Sequence, residues 1–313
     1  MAGKYATSAG RIAVFALGVS LAAAACSSAE EIDGRLAPVS DGPAAHIARV
    51  HVILQAEPDP IAVEPQLDVS ARFVAFRGLD EEFVRGRVGI GQLPYERLEP
   101  GTCVVSEALD GVEVRERQAS PERELLLVDA GNLRVSIGDV QSDVPLVLLP
   151  DLLPYMSGVE YEQVTDALPT VFSYDQAQGL SVEIEGSGDD EIPATTLETR
   201  LPARLDLSSS FSLDPSVIEL RWRGAPRSDL PMILRIGAYV GSEPVGAEVT
   251  CAVLDRGSYR LDLRELRALG LGVAGEGLHI RASRFEPMTF DAGEFAGSEF
   301  IVEMRDGLFT VLR

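Results

Sequence analysis

The sequence predicts an all-β fold, made of two β-sandwich domains that follow an export signal and a flexible tether. Apolar and polar residues alternate with a period of two in many segments, which is typical of half-buried strands in antiparallel sheets. Clear examples lie at positions 67–75, 180–184, 218–222 and 278–282. Turn-forming pairs such as Gly131-Asn132 and Asp306-Gly307 separate the segments, and strands of this spacing favour β-sandwiches. The one convincing helical pattern, at 261–269, predicts a short connector.

The first 25 residues have the pattern of a signal peptide. Lys4 and Arg11 form a short positive region, and an apolar stretch at 12–21 leads into alanines at 22–25. Such a segment directs export. It is shorter than the roughly 20 apolar residues that a membrane-spanning helix needs. No other run in the sequence is longer and as apolar, so we expect no multi-pass membrane protein.

The alanines run directly into Cys26-Ser27, and this junction resembles the lipobox of bacterial lipoproteins. The resemblance implies that Cys26 is acylated and becomes the new N-terminus, which would hold the protein to a membrane by lipid. A serine rather than an aspartate after the cysteine implies the outer membrane. Ala23 stands where a leucine is more usual, so cleavage after Ala25 to give a periplasmic or secreted protein stays open.

Domain organisation follows from composition beyond the signal. Residues 26–45 are small, polar and broken by proline and glycine, which predicts a tether with a mean span of about 25 Å. A first domain is predicted at 46–195 and a second at 196–313, because the segment 192–202 has two prolines and no clear alternation. An alternative boundary lies near Leu168-Pro169.

The second domain resembles a fibronectin type III or immunoglobulin-like unit. Ile218-Glu-Leu-Arg-Trp222 is similar to the strand of such domains that buries a tryptophan, and residues 231–239 are similar to the next strand. The chain as a whole resembles uncharacterised bacterial envelope lipoproteins in which a stretch like Cys251-Ala-Val-Leu-Asp-Arg-Gly-Ser-Tyr259 precedes the last strands. This resemblance implies no activity.

Charge limits the classes of ligand. The chain carries 49 acidic against 27 basic residues, a net charge of −22. Such a field repels phosphate backbones and anionic lipid headgroups. We therefore expect no nucleic acid partner, a membrane contact only through the lipid anchor, and an unknown protein or glycan as the remaining partner.

Catalytic motifs are missing. The sequence has no G-x-S-x-G, H-E-x-x-H or S-x-x-K motif and no phosphate-binding glycine loop that opens a helix. Its histidines, His46, His51 and His279, have no second metal ligand at suitable spacing and are interpreted as exposed surface residues. We expect no enzyme and no cofactor.

Cys103 and Cys251 are the two cysteines left once Cys26 is acylated. An even number in an exported chain favours a disulfide. However, each cysteine shares a strand face with valines, which predicts that each points into the core of its own domain. Because a disulfide needs Cα atoms within roughly 7 Å, the two-domain organisation favours buried free thiols, with the disulfide as the alternative.

Two further segments are candidate sites. The acidic loop with Asp189, Asp190 and Glu191 could supply oxygen ligands to a cation, but its spacing fits no known calcium loop, and a solvated hairpin turn is the preferred interpretation. The run at 144–154 has three prolines among leucines and valines. It predicts an irregular edge strand and crossover, or a recognition patch if it is exposed.

Three functions follow from these observations. The leading hypothesis is a non-catalytic envelope lipoprotein that presents its β domains to a protein or glycan partner. The second is a structural or assembly subunit of an outer-membrane or periplasmic complex, with the proline-rich run as its interface. The third and least favoured is a polysaccharide hydrolase that uses paired carboxylates.

Overall fold

The computed structural model describes residues 44–55, 67–110, 123–149, 156–163, 175, 178–188, 192–224, 229–272 and 275–312. Within these ranges the chain forms seventeen strands and four short helices. The strands are β1 (Ala45–Gln55), β2 (Leu67–Arg77), β3 (Cys103–Val105), β4 (Glu124–Leu127), β5 (Leu133–Ile137), β6 (Val140–Val144), β7 (Leu146–Leu148), β8 (Met156–Glu162), β9 (Gly179–Ile184), β10 (Thr195–Arg200), β11 (Ser208–Phe211), β12 (Val217–Arg221), β13 (Pro231–Val240), β14 (Glu243–Leu254), β15 (Ser258–Asp262), β16 (Gly277–Ala292) and β17 (Phe295–Val311). The helices are α1 (Glu81–Arg87), α2 (Pro94–Arg97), α3 (Glu107–Asp110) and α4 (Leu263–Ala268).

Predicted and observed elements agree at the level of fold class. The protein is predominantly β, and the segments predicted as strands at 67–75, 180–184, 218–222 and 278–282 lie in or at the end of β2, β9, β12 and β16. The predicted short helix at 261–269 is α4. Trp222, predicted to be buried, is 6% exposed. Period-two alternation was sufficient here because each of these strands buries one face.

One ten-stranded sheet organises the fold, in the order β3-β14-β13-β16-β17-β1-β2-β4-β8-β7. A four-stranded sheet, β10-β9-β5-β6, and a three-stranded sheet, β11-β12-β15, accompany it. Buried residues of all three sheets and of α4 belong to a single apolar cluster. The two smaller sheets therefore cover one face of the large sheet, which we call the inner face. The opposite, outer face carries α1, α2 and α3 over two smaller apolar clusters.

The predicted division into domains at 46–195 and 196–313 is wrong. Strand β1 pairs in parallel with β17, with Val50 opposite Phe300, and β3 pairs with β14. Thr195 begins β10, which forms a hairpin with β9, and residues Val39–Arg313 form one compact unit. Pairing between the first and last strands joins distant parts of the sequence, and local composition carries no sign of it. The alternative boundary near 168–169 lies outside the described residues.

The proline-rich run supplies an edge strand. Strand β7 ends the ten-stranded sheet, and its Leu146 and Leu148 are 42% and 75% exposed. The predicted edge strand is thus confirmed for 146–148, while 150–155 lie outside the described residues.

No helix among the described residues is both long and apolar enough to cross a membrane.

Candidate functional site: an arginine-lined cleft

A cleft of about 960 Å³ opens on the outer face of the large sheet. The apolar cluster on one side packs Val84 and Val88 of the α1 region against Val74 and Phe76 of β2. A second cluster packs Tyr95 and Leu98 of the α2 region against residues of β13, β16 and β17. Between these clusters the outward side chains of β1, β2 and β13 are polar, so they form a cleft floor instead of a third apolar patch.

Residues at both ends of α1 determine where this helix, which forms one wall of the cleft, begins and ends. The carboxylate of Asp80 caps the helix by accepting hydrogen bonds from the backbone N–H groups of Glu82 and Phe83 at 3.0 and 3.2 Å, as an N-cap aspartate commonly does. Gly89 follows the helix in a left-handed conformation, with φ of +72°, which a glycine adopts at little cost. A Cβ there would lie 3.3 Å from the Arg72 guanidinium, so the glycine also leaves room for the cleft.

Five arginines line this cleft, Arg49, Arg72, Arg85, Arg97 and Arg235. Only two acidic side chains, Glu81 and Glu82, are among the described residues that line it. The chain as a whole carries a net charge of −22. Basic side chains thus outnumber acidic ones in the cleft lining although acidic residues prevail in the chain, and local concentrations of one sign attract ligands of the opposite sign.

Arg49 links β1, in the cleft floor, to β17 and to the loop at 89–93. Its guanidinium is buried and donates from Nε to Glu299 Oε2 at 2.6 Å and from a terminal nitrogen to the carbonyl of Gly91 at 2.7 Å. The second terminal nitrogen lies 2.5 Å from Glu299 Oε2. Charge-assisted bonds of this kind are about twice as strong as neutral ones. Each guanidinium nitrogen of Arg49 therefore contacts either Glu299 of β17 or the loop at 89–93.

Three other arginines also connect elements. Arg85 joins α1 to Glu299 of β17 at 3.2 Å, and within α1 it pairs with Glu81 at 2.7 Å. Arg72 donates to Glu160 of β8 at 2.6 Å. Arg97 of α2 donates to the carbonyl of Leu109 in α3. These contacts shape the cleft, and each has a clear structural role.

Arg235 differs from the other four. It is half-buried on β13 and has no hydrogen-bond or ion-pair partner among the described residues. Its direct neighbour across the β13–β16 pair is Arg281, whose guanidinium donates to Glu248 at 2.7 Å. Glu248 belongs to β14, on the other side of β13, and it is engaged by Arg281. Arg235 therefore keeps a guanidinium without an ion pair among the described residues, which an anion could bind.

His51 lines the cleft above a buried carboxylate. Its Nε2 lies 3.1 Å from Glu303 Oε2, and Ser283 Oγ and Arg305 Nε donate to Glu303 Oε1 at 2.7 and 2.6 Å. Burial by itself raises the pKa of Glu303, but Arg305 and His51 outweigh it and hold that pKa well below its usual range. Glu303 is therefore charged, and it lies next to the His51 ring.

This carboxylate makes a pH-dependent contribution to stability. Because the pKa of Glu303 is lower in the folded protein than in the unfolded chain, its contribution is fully present above a pH of about 4.5 and is lost as the pH falls further. We expect Glu303→Gln to flatten the decline of the unfolding free energy between about pH 4.5 and 3, as urea titrations at several pH values would measure. Asp68 works in the opposite direction, since burial raises its pKa. An unchanged slope in the variant would contradict the assignment.

The interpretation of the histidines as exposed is wrong. His279 is 4% exposed, and the side chains of His51 and His46 are 15% and 17% exposed. His46 packs edge-on against Phe295, and His279 packs against Tyr239 in the same way. Alternation placed His279 on a polar face, but neighbouring strands and aromatic rings cover that position.

The preferred interpretation of the cysteines is also wrong. Cys103 and Cys251 form a disulfide, and they lie directly opposite each other on the paired strands β3 and β14. The argument for free thiols assumed two separate cores. Because both strands belong to one sheet, the Cα atoms are only 4.0 Å apart. The even number of cysteines was the signal for this bond.

A buried ionic cluster on the inner face is a feature that sequence reasoning missed. Asp255 accepts hydrogen bonds from Trp222 Nε1 at 2.7 Å and from Arg284 Nε at 2.6 Å. Arg284 also donates to the carbonyls of Ala203 and Arg223 at 3.0 and 2.5 Å. Both charged side chains are almost completely buried. Asp255 stands two residues before a glycine, so by sequence it is typical of an exposed turn.

The remaining predicted sites have no described geometry. Cys26 and the weak metal candidates Asp189, Asp190 and Glu191 lie outside the described residues. Within the described part of the chain, no three His, Cys, Asp or Glu side chains are grouped as metal ligands would be.

No protein-family model matches this chain, and no curated protein matches it. The site must therefore be interpreted from its own geometry.

Proposed function

We propose that this chain is a non-catalytic envelope lipoprotein that captures an anionic group of a protein or glycan partner in the arginine-lined cleft. One observation carries the proposal: five arginines line a single cleft of a protein with a net charge of −22. Four of them hold the cleft in shape, and the fifth, Arg235, is left without a partner among the described residues. An arginine without an internal partner binds an anion without first breaking an ion pair.

The negative net charge of the protein supports selectivity. Long-range repulsion from a strongly negative protein disfavours large polyanions such as nucleic acids. A short anionic group can instead enter the cleft, where the arginines dominate locally. A cleft of about 960 Å³ also matches the size of ordinary small-ligand sites, about 300–1,000 Å³.

A binding measurement tests the cleft. The full-length protein in detergent should bind fluorescein-labelled oligogalacturonate or a labelled glutamate-rich peptide, as fluorescence anisotropy would report. Raising the salt from about 0.05 to 0.5 M should weaken this binding, because ions screen exposed charges. Arg235→Gln should remove most of the binding. The matched control is Arg260→Gln, which removes the same charge from an exposed position on β15 and should change little. Equal binding by wild type and Arg235→Gln would reject the cleft as the site.

Protease treatment of intact cells tests the anchor and separates two roles. We expect the wild type to fractionate with the outer membrane and the Cys26→Ala variant to be released. Digestion of the anchored protein on intact cells would favour capture of external ligands. Protection would favour the assembly subunit, for which the exposed Leu146 and Leu148 of β7 offer an apolar interface. Release of wild type and variant alike would contradict the lipoprotein proposal.

A further inference from the structure

The anion that enters the cleft has a limited range of chemistry. Arg49, Arg72, Arg85 and Arg97 already bind glutamates or backbone carbonyls, so an anion that took them over would have to displace these partners. Of the five cleft arginines, Arg235 alone has no partner among the described residues. The site is therefore suited to one anionic group at Arg235, and a polymer with a charge on every unit would gain little from its further charges.

The walls indicate what lies on either side of that group. Leu93, Pro94 and Leu109 line the cleft with partly exposed apolar side chains, and Leu93 and Leu109 pack on the apolar cluster that also contains Ile233, two residues before Arg235 on the same strand. The ligand thus meets an apolar surface next to the charge. Burial of apolar side chains on such a wall contributes about 25 cal/mol per Å² of area removed from water.

The lining offers little aromatic surface. None of the described residues around the cleft is a phenylalanine, tyrosine or tryptophan, and the side chain of His51, the one aromatic ring among them, is only 15% exposed. The C–H faces of sugar rings and the faces of nucleobases pack best on aromatic rings. A sugar ring would have little such surface here, whereas a peptide side chain packs equally well on leucine and proline.

The loop at 89–93 offers polar groups that suit a peptide backbone. Gln92 is exposed at the cleft, and neither its side chain nor its backbone N–H has a hydrogen-bond partner among the described residues. Arg49 holds the neighbouring Gly91 carbonyl at 2.7 Å, which fixes the loop. A fixed loop with open donors and acceptors recognises main-chain amides with little loss of its own conformational freedom.

We infer that the cleft binds an acidic peptide segment of a partner protein, with a single carboxylate on Arg235 and the flanking apolar side chains on the wall formed by Leu93, Pro94 and Leu109. This inference rests on the proposed function and narrows its protein or glycan partner to a protein.

The experiment compares two labelled peptides, Ser-Leu-Glu-Leu-Ser and Ser-Leu-Gln-Leu-Ser, with oligogalacturonate and inorganic phosphate as competitors. The full-length protein should bind the glutamate peptide at least about tenfold more tightly than the glutamine peptide, as expected for a charge-assisted pair. Arg235→Gln should abolish this difference, whereas Arg260→Gln should keep it. Circular dichroism melting of the Arg235→Gln variant would establish that it is folded.

The outcomes separate the inference from the proposed function. Equal affinity for the two peptides, or a preference that survives Arg235→Gln, overturns the inference. Binding of oligogalacturonate or phosphate through Arg235, without peptide binding, also overturns it but keeps the cleft as an anion site. Failure of every probe to bind the wild type overturns both proposals.

Discussion

Replacing Asp255 by alanine should lower the unfolding free energy by about 3–5 kcal/mol, because it leaves a buried arginine without its counter-charge. Arg284 and Asp255 are 4% and 1% exposed in their side chains, so water cannot take over the lost pairing. The Trp222 indole N–H would lose its acceptor as well, and an unsatisfied buried donor costs about 1–3 kcal/mol. Urea titration monitored by Trp222 fluorescence would measure the loss, since this is the chain's only tryptophan.

A matched pair on the surface serves as the control for Asp255. Arg134 and Asp143 lie 2.8 Å apart with side chains 46% and 74% exposed, so Asp143→Ala should cost less than about 1 kcal/mol. A second comparison replaces both members of the buried pair, with Asp255→Leu and Arg284→Met together. Apolar residues of similar volume need no counter-charge, so the double variant should regain much of the stability that Asp255→Ala loses. Similar losses of unfolding free energy in Asp255→Ala and Asp143→Ala would contradict a structural role for the buried pair.

The sequence predicted strands well and their partners poorly. Alternation located β2, β9 and β12 because each buries one face against a core, and that pattern is local. It could not reveal that β1 pairs with β17, since strand order depends on contacts between residues about 250 positions apart, such as Arg49 with Glu299. The two-domain division and the cysteine prediction were both wrong because the sequence does not reveal this long-range strand pairing.

The cleft itself was not predicted, for a related reason. Its arginines come from β1, β2, α1, α2 and β13, and in the sequence each one stands alone as a polar residue of an amphipathic segment. The overall charge of −22 even favoured the opposite expectation, a surface that attracts cations. Only the sheet order brings Arg235 to the same face as Arg49 and Arg72. The buried Asp255–Arg284 pair escaped detection in the same way.

Loss of the Cys103–Cys251 bond should be the second large effect. The disulfide closes a loop with a sequence separation of 148, and removing a bond that closes a long loop costs about 2–5 kcal/mol of the unfolding free energy in small exported domains. We expect a cost in this range for the variant Cys103→Ala/Cys251→Ala, measured by urea titration. Reduction of the wild type by dithiothreitol should give a similar loss. Two free thiols in the unreduced, urea-unfolded protein would contradict the pairing.

Loss of the Cys103–Cys251 disulfide should also destabilise the cleft wall, before the whole protein unfolds. Strand β3 has only three residues at the edge of the large sheet. Its remaining attachments are the packing of Val104 on the apolar cluster that contains Tyr95 and a few hydrogen bonds, such as Ala252 N–H to the Thr102 carbonyl at 2.9 Å. Helices α2 and α3 flank this strand and carry Arg97 and Leu109 of the cleft wall. Without the disulfide this wall can detach locally at a lower free energy than global unfolding. Amide hydrogen exchange should therefore accelerate at 94–109 in the double variant while the amides of β1 and β17 stay protected, and the glutamate peptide should bind more weakly. Uniform acceleration across the whole sheet would show instead that the bond stabilises the fold only globally.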